Sequence, residues 1–284
     1  MAIKKRAIVT VISVIIFSTL LLTFFSEKKN LAVSAEGDGV KLPIIMYHSL
    51  LNDSKLQNEY VISPEIFEND LKYLKNNGYS FLTVDDLIKY TSSDITLPEK
   101  CIMLTFDDGY YNNYYYAFPL LKKYNAKAVI SPIGSMTKKF TETKSISVSY
   151  GNINEDNIKE MVNSGYVEIQ NHSYDMHRLT PRKGIGQKAG ESDSDYKSKI
   201  TDDIQKEQDY IKSLCNYTPK CFVYPFGEMS DITEQVIKSM GFRCSMTCTE
   251  KTNIITKDPE SLFELGRYRR DKDESTADFI NRIT

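Results

Sequence analysis

An α/β fold is what this sequence predicts, with about seven or eight strand–helix units closing or nearly closing into a (β/α) barrel behind an N-terminal transmembrane helix. From Leu42 onward, short apolar runs alternate with segments of helical period, as strand–helix units around a parallel sheet require. Behind its leader, the 284-residue chain is long enough for one large single-core domain. The leader itself is uncharged and apolar over Ala7 to Phe25. An open doubly wound sheet leaves the same local pattern, so periodicity alone does not choose between it and a barrel.

The elements follow in order. Lys4, Lys5 and Arg6 precede the apolar run, which approaches the roughly 20 residues a bilayer-spanning helix needs. Residues 1–26 are therefore expected to be a cytoplasmic stub and signal-anchor at the cell membrane, with everything after Ser26 outside. The alternative is secretion after cleavage at Val33-Ser34-Ala35, although Glu27, Lys28 and Lys29 intervene. No cysteine follows the run closely, so a lipoprotein anchor is not indicated. Residues 27–41 are polar or small and read as a flexible linker, leaving 42–284 as the catalytic domain.

Strands are predicted at Pro43–Tyr47, Ser80–Val84, Cys101–Phe106, Lys127–Ser131, Tyr166–Gln170, Cys221–Tyr224, Phe242–Met246 and Leu262–Leu265. The first helix has a readable start: Ser63 caps, Pro64 takes the first helical position, and Ile66, Phe67, Asp70, Leu71 and Leu74 share a face before Gly78 stops it. Further helices are predicted near Asp85–Tyr90, Tyr114–Tyr124, Asn154–Ser164, Ile200–Leu214, Asp231–Met240 and Thr276–Ile283. Arg178–Tyr196 is polar and aperiodic, a long loop that is either functional or a solvated excursion.

Removing Lys4, Lys5 and Arg6 from the 36 basic residues leaves 33 against 38 acidic ones, a formal charge of −5 on the exported part. A mildly acidic domain with no dense basic block is a poor partner for nucleic acid. The five cysteines (Cys101, Cys215, Cys221, Cys244, Cys248) include no CxxC pair, so zinc-finger spacing is absent. Local pairs between Cys215 and Cys221 or between Cys244 and Cys248, and free buried thiols, both remain open.

Three clusters carry chemistry. Leu104-Thr105-Phe106-Asp107-Asp108-Gly109 ends an apolar strand in two carboxylates and a glycine. Neighbours on a strand point to opposite faces, but at a strand end entering a glycine turn both can reach one cleft. An ordinary acidic turn is the competing reading. Asn171-His172-Ser173-Tyr174-Asp175-Met176-His177 follows another strand and holds two of the chain's three histidines. Two neutral imidazoles and one aspartate, with a position left for water, make a zinc-type site. Phe222-Val223-Tyr224-Pro225-Phe226-Gly227 ends a third strand in a turn whose N–H groups can face the cleft; alone it is an ordinary turn.

In this order the clusters resemble the polysaccharide deacetylases of carbohydrate esterase family four, the NodB-like deacetylases, over roughly Leu42 to the C-terminus. Thr105-Phe106-Asp107-Asp108-Gly109 is similar to the family's first motif and is the most specific match. His172 and His177 are similar to the second, with the histidines five apart rather than the commoner four. That spacing, with Ile45-Met46-Tyr47-His48, resembles the branch acting on poly-N-acetylglucosamine and many anchored Gram-positive members. The resemblance implies a distorted (β/α) barrel of about seven strands. It also implies one divalent cation, zinc first with cobalt or nickel as alternatives, held by Asp108, His172 and His177. Asp107 would be the general base for a water acidified by the cation. The oxyanion would meet the cation and the Phe226 N–H, while Tyr224 and Phe226 form an apolar wall for the sugar.

Three departures accompany the resemblance. Val223 stands where common members carry the arginine that partners the base, and Arg267, after Glu264-Leu265-Gly266, is the candidate substitute. The chain has no tryptophan and no leucine-x-histidine near its C-terminus. His48 is then the one imidazole left as general acid or substrate contact. The leading expectation is a monomeric enzyme, anchored by its N-terminal helix, that removes N-acetyl groups from peptidoglycan or poly-N-acetylglucosamine. A catalytically impaired carbohydrate-binding protein on the same fold is the alternative. A glycosidase fits poorly, since adjacent Asp107 and Asp108 lie too close to flank a scissile bond.

Overall fold

The computed structural model describes residues 39–284, so the expected membrane anchor and nearly all of the linker lie outside the described residues. Among the described residues, no helix is long and apolar enough to cross a membrane. Eight parallel-pairing strands organise the domain: β1 Ile44–Tyr47, β2 Ser80–Phe81, β3 Cys101–Asp108, β4 Ala128–Pro132, β5 Val167–Ile169, β6 Cys221–Val223, β7 Cys244–Met246 and β8 Tyr268–Arg269. The helices between and after them are α1 Pro64–Asn76, α2 Val84–Ser92, α3 Phe118–Tyr124, α4 Gly134–Thr143, α5 Glu155–Asn163, α6 Asp193–Cys215, α7 Asp231–Ser239 and α8 Thr276–Ile283.

The strands run in the order β8–β1–β3–β4–β5, with β2 added to the first residues of β3. Strands β6 and β7 form a separate parallel pair. Single bridges at Asn171–Phe222 and Met246–Leu265 link that pair to its neighbours. The ladders therefore do not close into a regular barrel. The expected last strand at Leu262–Leu265 is corrected as well. Pro259–Leu262 is a 3-10 turn, and Glu264 has φ 55°, which breaks an extended run; Leu265 makes only the single bridge, and a ladder resumes at Tyr268.

Strand alternation sends successive residues of β1 and β3 to two cores. Ile45, Leu104 and Phe106 pack with Phe67, Ile130 and Phe279. Ile44 and Met103 pack with Val129, Val223 and Met246. All eight residues of β3 are buried, as a parallel strand covered on both faces should be. Ser63 accepts from the Ile66 N–H at 3.1 Å and caps α1 as the sequence predicts.

Local differences have local causes. The strand expected through Val84 ends at Phe81 because the Thr83 N–H bonds Asp86 and opens α2. The helix expected from Tyr114 begins as a π turn over Asn113–Ala117, ahead of Pro119, which has no N–H to give to a regular ladder. Helix α6 starts at Asp193, capped by Ser192, which shortens the long loop. That loop is internally bonded: Arg182 reaches the Glu191 carboxylate at 2.6 and 2.8 Å. All five cysteines are free thiols.

Candidate metal and deacetylase site

Both carboxylates of β3 reach the cleft because the backbone stops alternating at Asp108. Asp107 points to the inner face as its position on the strand dictates, and Asp108 adopts φ 66°, which turns its side chain toward the same opening. The Asn152 amide donates to the Asp108 carbonyl at 2.8 Å and holds that conformation. Gly109 also has φ 66°, and a Cβ there would lie 2.7 Å from Pro132, so only glycine fits the turn.

Three potential ligands converge on this turn. Atoms of Asp108, His172 and His177 lie within 4.8 Å of one another. Asp108 Oδ1 is 3.5 Å from His172 Nε2 and 3.2 Å from His177 Nε2, yet it has no hydrogen-bond partner. A buried carboxylate oxygen left without a donor, facing two imidazole nitrogens, is a donor set that fits a divalent cation. The His172 ring orientation suits that donor set, since its Nδ1 lies 2.7 Å from the Val223 carbonyl and donates to it, leaving Nε2 toward the cleft. Burial, then the nearby His172, lower the His177 pKa to about 4, so that ring is neutral and ligand-ready at neutral pH. Burial alone would lower His172, but the Asp108 and Asp107 carboxylates outweigh it and raise the pKa.

Asp107 is gripped by a buried arginine. Arg267 donates to its two oxygens at 2.7 and 2.8 Å and to the Thr247 carbonyl at 2.9 Å. Burial would raise the Asp107 carboxyl, but the Arg267 guanidinium overcomes it and holds the pKa well below the usual carboxylate range. His48 Nε2 lies 4.0 Å from Asp107, and its buried Nδ1 has no partner. Burial outweighs the neighbouring aspartates and lowers the His48 pKa, so its imidazole is neutral.

A family model for polysaccharide deacetylases matches residues 94–245, just over half of the 284-residue chain. The chain belongs to the polysaccharide deacetylase family. A Bacillus subtilis (strain 168) protein, YxkH, assigned by name to the polysaccharide deacetylases, is 33% identical over 232 residues, covering 81% of this chain and 71% of that one. The Staphylococcus epidermidis poly-β-1,6-N-acetyl-D-glucosamine N-deacetylase is 27% identical over 241 residues, covering 84% of this chain and 78% of its own. Among solved structures, the Streptococcus pyogenes deacetylase PplD in complex with acetate superposes with a TM-score of 0.71 at 25% identity, covering 87% of this chain and 99% of that one.

Within this deacetylase fold, the predicted site residues do not all meet. Asp107, Asp108, His172, His177, His48 and Arg267 come together as described above. Phe226 joins them, its ring 4.2 Å from that of His177, with φ 57° at the turn after Pro225. Tyr224 does not: it is fully buried and packs edge-on against Phe222 in the core beneath α6 and α7. Alternation explains this, because Tyr224 and Phe226 flank a proline turn rather than sharing a strand face. Several partners escaped the sequence reading. Asn113 donates to the His48 carbonyl at 2.7 Å, and Asn171 donates to the Ile204 carbonyl at 3.1 Å. The Tyr110 hydroxyl is shifted upward by burial and by the neighbouring Asp108. Asn113, four residues after Gly109, and Asn171, directly before His172, were the available signal, since a buried amide must find hydrogen-bond partners.

Proposed function

We propose that this protein is a metal-dependent N-deacetylase of an extracytoplasmic amino-sugar polymer, with Asp108, His172 and His177 holding one divalent cation. The observation that carries the reading is the orphaned Asp108 Oδ1 facing two imidazole nitrogens, beside a second carboxylate fixed by an arginine. Two imidazoles and one carboxylate suit zinc first, with cobalt or nickel as alternatives. A cation there supplies Lewis-acid chemistry and makes water acidic near neutral pH.

The chain's own groups provide the rest. Asp107 takes the proton from the attacking water, and Arg267 keeps that carboxylate ionised and aimed. Arg267 occupies the role that Val223 cannot, which weakens the case for an impaired binding protein. The Phe226 N–H donates to no protein acceptor among the described residues and is the candidate donor to the oxyanion formed at the acetamide carbon. As the C–N bond breaks, the amine takes a proton from Asp107, with neutral His48 beside it as the second proton-carrying group.

The named substrate of the staphylococcal relative supports poly-N-acetylglucosamine, and peptidoglycan is the other polymer to test. The basic cluster and apolar run at the N-terminus support a single-pass membrane anchor with the domain outside. Acetate release by the full chain from both polymers tests the function. Chelation should abolish release, and adding back zinc, cobalt or nickel should restore it. Release that survives chelation, or none with any cation on either polymer, would overturn the proposal.

A further inference from the structure

The two ligand histidines are held by different means. His172 is fixed by its own ring, buried and bonded to the Val223 carbonyl. His177 lies at the far end of the intervening loop, 17% exposed, with its ring tilted against that of Phe226. Its position therefore depends on the backbone from Ser173 to Met176, which turns at Ser173 with φ 70°.

That backbone is bonded almost throughout. The Ser173 N–H donates to Asn171 Oδ1 at 2.9 Å, and the Met176 N–H to Ser173 Oγ at 3.2 Å. The Ser173 and Tyr174 carbonyls accept from the Gly134 and Ser135 N–H groups at the start of α4. The two central donors, Tyr174 N–H and Asp175 N–H, go to the two oxygens of one carboxylate, Asp203, at 2.8 and 3.0 Å. Asp203 stands on α6, which is tied to the strand end before His172, since Asn171 donates to the Ile204 carbonyl and to Gln208 Oε1.

We propose that Asp203 is a positioning residue of the cation site, setting the distance between His172 and His177 by gripping the two central N–H groups of the loop. This rests on the cation reading above. A carboxylate accepts at both oxygens, whereas an asparagine has one acceptor and would present its own N–H to the other donor. Removing Asp203 therefore displaces His177 while leaving His172 in place.

The test compares Asp203→Asn and Asp203→Ala in the full chain with Asp202→Asn, an exposed neighbour on the same helix. Zinc affinity is read by competition with a chelating dye, and unfolding of the metal-free protein is followed in parallel. Both Asp203 variants should bind zinc roughly 10–100-fold more weakly. Asp202→Asn should match the wild type, and excess zinc should restore acetate release to Asp203→Asn. A purely structural role would lower the metal-free unfolding midpoint without a rescue by zinc. Zinc affinity of Asp203→Asn within about twofold of wild type would overturn the inference, and if Asp203→Ala does not fold, Asp203→Asn decides. A wild-type chain that binds no divalent cation would instead remove the reading beneath it.

Discussion

Arg267 and Arg270 stand three residues apart, both buried, and each holds an aspartate with two hydrogen bonds. Arg267 grips Asp107 at 2.7 and 2.8 Å; Arg270 grips Asp70 of α1 at 2.9 and 3.1 Å. Even their neighbours alternate, with Tyr47 donating to Asp70 at 3.0 Å and the next residue, His48, facing Asp107 at 4.0 Å. The difference is closure. Asp70 also accepts from Thr276 at 2.6 Å, and no buried polar side-chain atom around it lacks a partner among the described residues. Beside Asp107, Asp108 Oδ1 and His48 Nδ1 are both unpartnered. Burial and ion pairing are common to both pairs; what sets the proposed site apart is the unfinished hydrogen bonding beside Asp107.

Substitutions at the two pairs should separate along that line. The largest effect is expected for Asp107→Asn, which keeps the shape but removes the base. Acetate release per folded molecule should fall about 10²–10⁴-fold with zinc still bound, and full activity would break the assignment. Asp70→Asn should act on the other axis. It leaves Arg270 buried without its counter-charge, so urea unfolding should register a loss of about 3–5 kcal/mol while the folded fraction keeps its turnover. Equal losses of turnover in both variants would erase the contrast between the pairs. A smaller effect is expected for Arg267→Lys, which keeps the charge but surrenders the two-pronged geometry. Its kcat/KM should drop about tenfold, a charge-assisted hydrogen bond's contribution.

The sequence made the reactive pair visible only in part. Asp107, Asp108, His172 and His177 were legible because each cluster follows an apolar strand and has a residue type the chemistry needs. Arg267 was legible only as a substitute for a missing arginine, since nothing local ties it to a carboxylate 160 positions away. Asp70 appeared among the apolar residues of an amphipathic face, but its partner was hidden for the same reason. Tyr224 was misplaced because the proline turn that follows it turns Phe226 to the cleft while Tyr224 stays in the core. Strand positions near the centre of the sheet were readable, and the seam was not. There single bridges at Asn171 and Leu265 replace ladders, and hydrophobic pattern carries no record of how many hydrogen bonds a run makes.

A third buried acid sharpens the comparison, because it has no arginine at all. Glu207 of α6 is fully buried, neither carboxylate oxygen has a partner, and a Cβ on Gly134 would lie 1.7 Å from Oε2. Burial, reinforced by Asp203, raises its pKa well above the ordinary carboxyl value, so the folded protein keeps the Glu207 proton to higher pH than the unfolded chain does. Unfolding exposes the group, which then ionises above its ordinary pKa. Over that window the folded state binds the extra proton, so stability contributed by the neutral acid is present at low pH and lost as pH rises. Asp107 has the opposite sign: its depressed pKa gives stability above the ordinary carboxyl range that is lost on acidification. Glu207→Gln removes the exchangeable proton and with it a slope of at most about 1.4 kcal/mol per pH unit. Urea midpoints from about pH 5 to about pH 8 should therefore fall more steeply for the wild type than for Glu207→Gln. Parallel profiles would mean that Glu207 finds a charge partner in solution, and that an arginine is not what separates the three acids.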